Sequence, residues 1–213
     1  MSADSSPGSS ADTNGGGAVA DDVPESVAAM VGKPMYEETA TFPVERSYGY
    51  NTLAATQNAN PLFWDEAVAE DLTGGITLPP TTLSLWMRPH YWEPGAVGEQ
   101  VALKVHFDLK SIFGLPEAVM TDNTIIFHSP VRPGDVISNR QVLKSVSGPK
   151  TTKLGAGRFW VIDVEFHNQN GELVGVESYT GFGYNRPAAA DAAAGGRADS
   201  AAGGSPASEG ASA

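Results

Sequence analysis

The chain has 213 residues, a formal net charge of −12 and no cysteine, which excludes disulfides, thiol catalysis and thiolate metal sites. Five acids and no base lie in residues 1–25, and three acids with Arg197 in 187–213; the remainder carries about −5 and no basic stripe of the kind that binds nucleic acid. No apolar run approaches the ~18 residues of a membrane span, and the start has neither the basic nor the apolar stretch of a signal peptide, so a cytoplasmic protein with no membrane contact is expected.

Residues 1–23 and 187–213 are dominated by Ser, Gly, Ala and Asp. Such tracts bury too little apolar surface to offset ordering entropy. They read as disordered tails around one domain at 24–186. Within it, Pro24 and Gly32 bracket a short helix over 24–31. Residues 35–42 have the mixed polarity of an edge strand. A helix is predicted over 44–57, and a second over 65–72 with Asp65 and Glu66 at its positive end and Gly74-Gly75 after it. Between them lies Asn58-Ala-Asn60-Pro61-Leu-Phe63-Trp64, a helix break made of amides and proline followed at once by two aromatics.

Pro79-Pro80 and Thr81-Thr82 look like another helix start, and Leu83, Leu85, Trp86 and Met87 make that helix, 81–87, apolar enough to be buried. The rest reads as β: 101–107, 118–131, a turn at Arg132-Pro-Gly-Asp135, 136–147, and the clear alternation of 158–167. Asn170-Gly171 marks a two-residue hairpin turn, and 172–184 returns as its partner. The order is α+β, an antiparallel sheet with helices on one face, wrapped around the apolar helix.

Taken together and in this order, "ANPLFWDEAVA", "GGITLPPTTLSLW", "FHSPVRPGD" and "NQNGELVGVESYTGFGY" resemble the MaoC-like dehydratases and hydratases, in the branch described as an N-terminal MaoC-like dehydratase domain. The resemblance covers 24–184. It implies a single hot-dog fold, a curved antiparallel sheet around a central helix. It also implies hydration of an enoyl thioester, or dehydration of a 3-hydroxyacyl one, in a dimer of hot dogs. The thioester is the substrate, on coenzyme A or acyl carrier protein, and no separate cofactor is expected.

In active members of the family the break carries Asp-x-Asn-Pro-x-His, whose Asp and His hold water and move its proton. Here Asn58 stands at the Asp position and Phe63 at the His position, and neither takes a proton near neutral pH. Asn60 and Pro61 are retained. A backbone N–H at the start of the central helix, usually a glycine's, holds the thioester oxygen in relatives; the matching position is Pro79, which has none. The resemblance therefore implies a substrate-binding set of Asn60, Pro61, Trp64, Pro79, Thr81, Thr82 and Trp86, with Thr81 and Thr82 as substitute donors, and no intact catalytic pair. The plainer reading of the break is structural, with Phe63 and Trp64 as core aromatics.

Other candidates come from the residues alone. His90 and His128 sit at ends of apolar elements and are the histidines to test for catalysis. His106 and His167 complete the four, and none has metal-ligand spacing. Lys150, Lys153 and Arg158 cluster in a loop that could meet coenzyme A phosphates. The leading expectation is a hydratase or dehydratase subunit that completes the acyl tunnel of a catalytic MaoC-like partner, as a heterodimer or heterotetramer, for a long-chain or steroid acyl group. Two alternatives stand beside it: a homodimer active through other residues, and a non-catalytic acyl-thioester binding protein.

Overall fold

The computed structural model describes residues 19–87, 94–95 and 101–187. Its centre is β5 (Gly155–His167), where Trp160, Ile162, Val164 and Phe166 are buried on one face. This is the alternation of the sequence expressed as a half-buried strand. β5 lies between β3 (Ser138–Val146) and β6 (Leu173–Asn185), with β1 (Pro34–Thr39) at one edge and β2 (Glu117–Phe127) at the other. All these pairings are antiparallel, and the short β4 (Lys150–Thr152) pairs with the start of β5.

Two helical segments pack on the same face of the sheet. The first is the apolar segment expected over 81–87, which forms a 3-10 helix, Pro80–Met87, seated through Leu83 among Val164, Phe166, Val174 and Ile137. A Cβ at Gly175 would lie 2.5 Å from Leu83 Cδ2, so the missing side chain lets this segment rest on β6. The second segment corrects the expectation of a strand at 101–107: residues 104–113 are a helix. Val105 and Leu109, four apart, point together into a cluster with Leu143, Trp160 and Ile162. Gly114, in the left-handed region at φ 62°, ends it.

Among the described residues four further helices precede the 3-10 segment: α1 (Glu25–Ala28), α2 (Arg46–Ala55), α3 (Pro61–Trp64) and α4 (Glu66–Thr73); the helix at 104–113 is α5. Asp65 caps α4 by accepting from the N–H groups of Ala67 and Val68, and Gly74 closes it at φ 66°. The β5–β6 turn falls where Asn170-Gly171 placed it but is longer than two residues. Asn168 N–H donates to Glu172 O at 3.0 Å, and the Asn168 side-chain oxygen accepts from the N–H groups of Asn170 and Glu172, both at 3.0 Å. The side chain of Asn168 thus builds the turn from two residues earlier.

Residues 19–23, grouped with the N-terminal tail by composition, lie against the sheet. Val19 bridges to Val146, the Ala20 N–H donates to Val146 O at 3.2 Å, and Val23 packs on the Trp160 cluster. Residues 1–18 and 188–213 fall outside the described residues. No helix among the described residues is long and apolar enough to cross a membrane.

Candidate functional site

The helix break is built by side-chain hydrogen bonds. α2 ends at Ala55, Gln57 takes a left-handed conformation at φ 51°, and Asn58 N–H closes on Leu53 O at 2.9 Å. The Asn58 side-chain oxygen then accepts from Asn60 N–H, and that of Asn60 from Leu62 N–H, each at 3.0 Å. Pro61 follows at the first position of α3, where its missing N–H costs nothing. Trp64 Nε1–H donates to Asn58 O at 2.8 Å, and its ring stacks on Tyr50 with centroids 4.7 Å apart. Phe63 turns the other way and is buried, whereas Trp64 is 44% exposed. Of the two aromatics only Phe63 is therefore a core residue.

An open depression of about 840 Å³ lies over the break, lined by Leu53, Asn58, Pro61, Trp64, Asp65 and Glu66. Its two carboxylates are adjacent on the first turn of α4. Asp65 is occupied as the helix cap, and Glu66 pairs with Arg46 at 2.6 Å. Neither Asn58 nor Phe63 moves a proton.

Two of the three positions expected at the oxyanion region offer no donor. Pro79 is buried and has no N–H. Thr82 was expected to offer a substitute donor, and the structure corrects this. Its N–H donates to Pro79 O at 2.9 Å and its hydroxyl donates to the same oxygen at 2.7 Å, so both donors turn back into the helix start. Thr81 is exposed. Trp86 is half-buried, and its buried Nε1 has no hydrogen-bond partner among the described residues.

Arg132 organises this region, a role not read from its turn motif. Its Nη1 donates to Gly75 O at 3.0 Å and its Nη2 to Thr73 O, while Asp135 fixes the Arg132 backbone N–H at 2.7 Å. The Arg-Pro-Gly-Asp turn thereby pins the chain just before the 3-10 helix.

Of the histidines, His128 is exposed beyond the end of β2, and His90 lies outside the described residues. His106 is buried, and its Nδ1 accepts from Trp160 Nε1–H at 3.1 Å. Burial, with the nearby Lys110 charge as a lesser cause, holds its pKa below the ordinary histidine value. His106 is thus a neutral core acceptor with its proton on Nε2. His167 lines a cleft of about 490 Å³ with Glu37 and Arg140, on the face of β5 opposite the helices. No group of three His, Asp or Glu that could hold a metal occurs among the described residues.

The phosphate-binding cluster does not assemble as expected. Lys150 and Lys153 are exposed, but the Arg158 side chain is only 14% exposed. It donates to both carboxylate oxygens of Asp22 at 3.1 and 2.6 Å and to Ser147 O at 2.9 Å, and lies over the Phe113 ring at 5.0 Å. Its donors are committed to the fold. Asp22, 136 residues away in sequence, supplied no local signal of this.

A buried acid went unnoticed in the sequence. Glu177 is 7% exposed and accepts from Asn123 Nδ2 at 3.2 Å. It pairs with Val164 across β5–β6, which places it on the helix-bearing face. Its place at every second residue between Gly175 and Tyr179 is the signal that marks that face.

The chain's relatives agree with this architecture. Residues 29–176 match the model of the FAS1-like dehydratase domain region. A probable enoyl-CoA hydratase alpha subunit of Thermomonospora curvata is 28% identical over 169 residues, covering 75% of this chain and 51% of the relative. A 3-oxo-4,17-pregnadiene-20-carboxyl-CoA hydratase alpha subunit of Mycobacterium tuberculosis is 29% identical over 147 residues, covering 65% and 44%. The chain thus spans about half the length of the curated relatives it matches. Among solved structures, the ChsH1-ChsH2 complex of Mycobacterium tuberculosis superposes with a TM-score of 0.59 at 24% identity, covering 78% of this chain and 92% of that one. A MaoC-like dehydratase gives 0.51 at 21% identity, covering 75% and 43%. With a family match over most of its length and hot-dog neighbours by shape, the chain belongs to the FAS1-like dehydratase domain family of MaoC-like hot-dog proteins.

Proposed function

We propose that this chain is the non-catalytic half of an acyl-thioester hydratase or dehydratase, completing the acyl tunnel of a MaoC-like subunit that supplies the Asp and His. One observation carries the reading: the two positions at which the family places its acid–base pair hold Asn58, engaged in a turn, and Phe63, engaged in the core. The proline at 79, which has no N–H, and the engagement of both Thr82 donors support the same reading. Relatives named as alpha subunits, and the two-component composition of the ChsH1-ChsH2 complex, support a hetero-oligomeric setting. The substrate class is an enoyl or 3-hydroxyacyl thioester, and the asymmetric pairing suits a bulky acyl group.

The partner's place is the free edge of β2. Among the described residues this strand is hydrogen-bonded on one side only, by β6, and on the face away from the helices it exposes Ile126 at 53%. A long open edge of this kind requires cover. Co-expression with a MaoC-like subunit bearing an intact Asp-x-Asn-Pro-x-His tests the reading. The two are expected to co-purify in equal proportion, and Ile126→Lys in β2 is expected to separate them. A stable homodimer that ignores the second subunit, with or without that substitution, contradicts it.

A further inference from the structure

The Glu177 carboxylate lies where the covered half of the helix-bearing face meets the open half. On β5 its neighbour is Val164, part of the buried cluster; on β2 its neighbour is Ile125, 37% exposed. The same register sets Met120 opposite Gly181, Asn123 opposite Tyr179 and Phe127 opposite Gly175, all on this face. Met120, Ile125 and Phe127 therefore form an exposed apolar band beside β6. Asn123 and Glu177, joined at 3.2 Å, are a polar pair within it.

A carboxylate at such a border is costly unless its lone pairs are used. A purely hydrocarbon acyl group laid along this band would bring it no donor. We propose that the Asn123–Glu177 pair is a recognition point for a hydroxyl carried on the acyl group, remote from the thioester. This inference rests on the hydratase-subunit reading above. The chemistry of the pair fits a hydroxyl: the carboxylate only accepts, while the Asn123 amide keeps a second N–H and its own oxygen. A hydroxyl both donates and accepts, so it satisfies both members. A ketone accepts only and brings the carboxylate no donor beyond Asn123, and a methylene offers neither. Sites built around such a bond discriminate against analogues that lack it.

The test uses the co-purified complex and a length series of α,β-unsaturated acyl-CoA thioesters, each ending in a hydroxyl or in a methyl group. At the chain length that reaches the pair, kcat/KM is expected to favour the hydroxylated member by ~10-fold or more. Glu177→Gln, which keeps the size, is expected to remove most of that preference through KM with kcat unchanged. The exposed Asn123→Ala, which disturbs no core packing, is expected to do the same. No preference at any length, or a preference that survives both substitutions, overturns the proposal. Loss of co-purification in Glu177→Gln assigns the pair to a donor on the partner subunit and overturns it too. If the wild-type complex hydrates none of the series, the hydratase reading fails. Calorimetric binding of the saturated probes then decides this one: a hydroxyl preference that Glu177→Gln abolishes sustains it, and equal binding overturns it.

Discussion

Restoring the family's acid–base pair by Asn58→Asp with Phe63→His is expected to yield a less stable protein and no enzyme. The first change is mild. An aspartate oxygen accepts the Asn60 N–H as the amide oxygen does, so a shift within about 0.5 kcal/mol is expected, though a third carboxylate joins Asp65 and Glu66 around the depression. The second change is severe. Phe63 is 7% exposed, and truncating such a phenylalanine to alanine costs about 3–5 kcal/mol. A histidine keeps part of the ring volume but buries polar nitrogens, and about 3 kcal/mol is expected. Pro79 still has no N–H and Thr82 still spends its donors on Pro79 O, so a weakened oxyanion site is expected as well. Loss of one such donor alone costs a factor of about 10²–10³ in kcat. Urea unfolding and hydration of a short enoyl-CoA measure the two consequences. A double variant as stable as the parent, turning over substrate, would refute both the core placement of Phe63 and the closed oxyanion site.

Three other expectations follow from the packing. His106→Ala leaves the Nε1–H of Trp160, 1% exposed, without its acceptor, and a loss of about 1–3 kcal/mol in chemical denaturation is expected. Because the His106 pKa is lowered in the fold, the unfolded chain binds the proton more readily; stability is therefore full above the ordinary value near 6.5 and declines as pH falls below it, and His106→Ala is expected to flatten that slope in melts across pH. Truncation through residue 23 removes the Val19 bridge, the Asp22–Arg158 pair and the packing of Val23, and is expected to lower the melting midpoint by several degrees; an unchanged midpoint would show the segment to be idle.

Much of this was legible because local rules and the fold agree. The alternation of β5, the Asp65 cap with Gly74, and the Asn-Pro break all declare themselves within a few residues. The α5 segment did not, for a definite reason. Val101, Leu103, Val105, Phe107 and Leu109 alternate as in a strand, and only the continuation to Phe113 reveals the four-residue spacing 105, 109, 113 that faces the core and leaves Phe107 51% exposed. The roles of Arg158 and Thr82 were hidden for another reason. A guanidinium looks like a phosphate ligand until Asp22 is brought to it from the far end of the chain. A threonine at a helix start looks like a donor until the geometry returns its hydrogens to Pro79. Glu177 shows the reverse case: its position on the helix-bearing face follows from its place in the strand, but its partner Asn123 lies 54 residues away on β2.

The central claim is that the chain lacks acid–base chemistry and gains function from a partner. The most direct measurement is enoyl-CoA hydration by the purified chain alone, beside the same assay on its complex with a MaoC-like subunit, intact or with that subunit's Asp or His replaced. The account predicts background rates for the chain alone, activity for the intact complex, and its loss with either partner substitution, while His90→Ala or His128→Ala in this chain lowers the rate modestly at most. Turnover by the chain alone, abolished by either of those histidine substitutions, would contradict it.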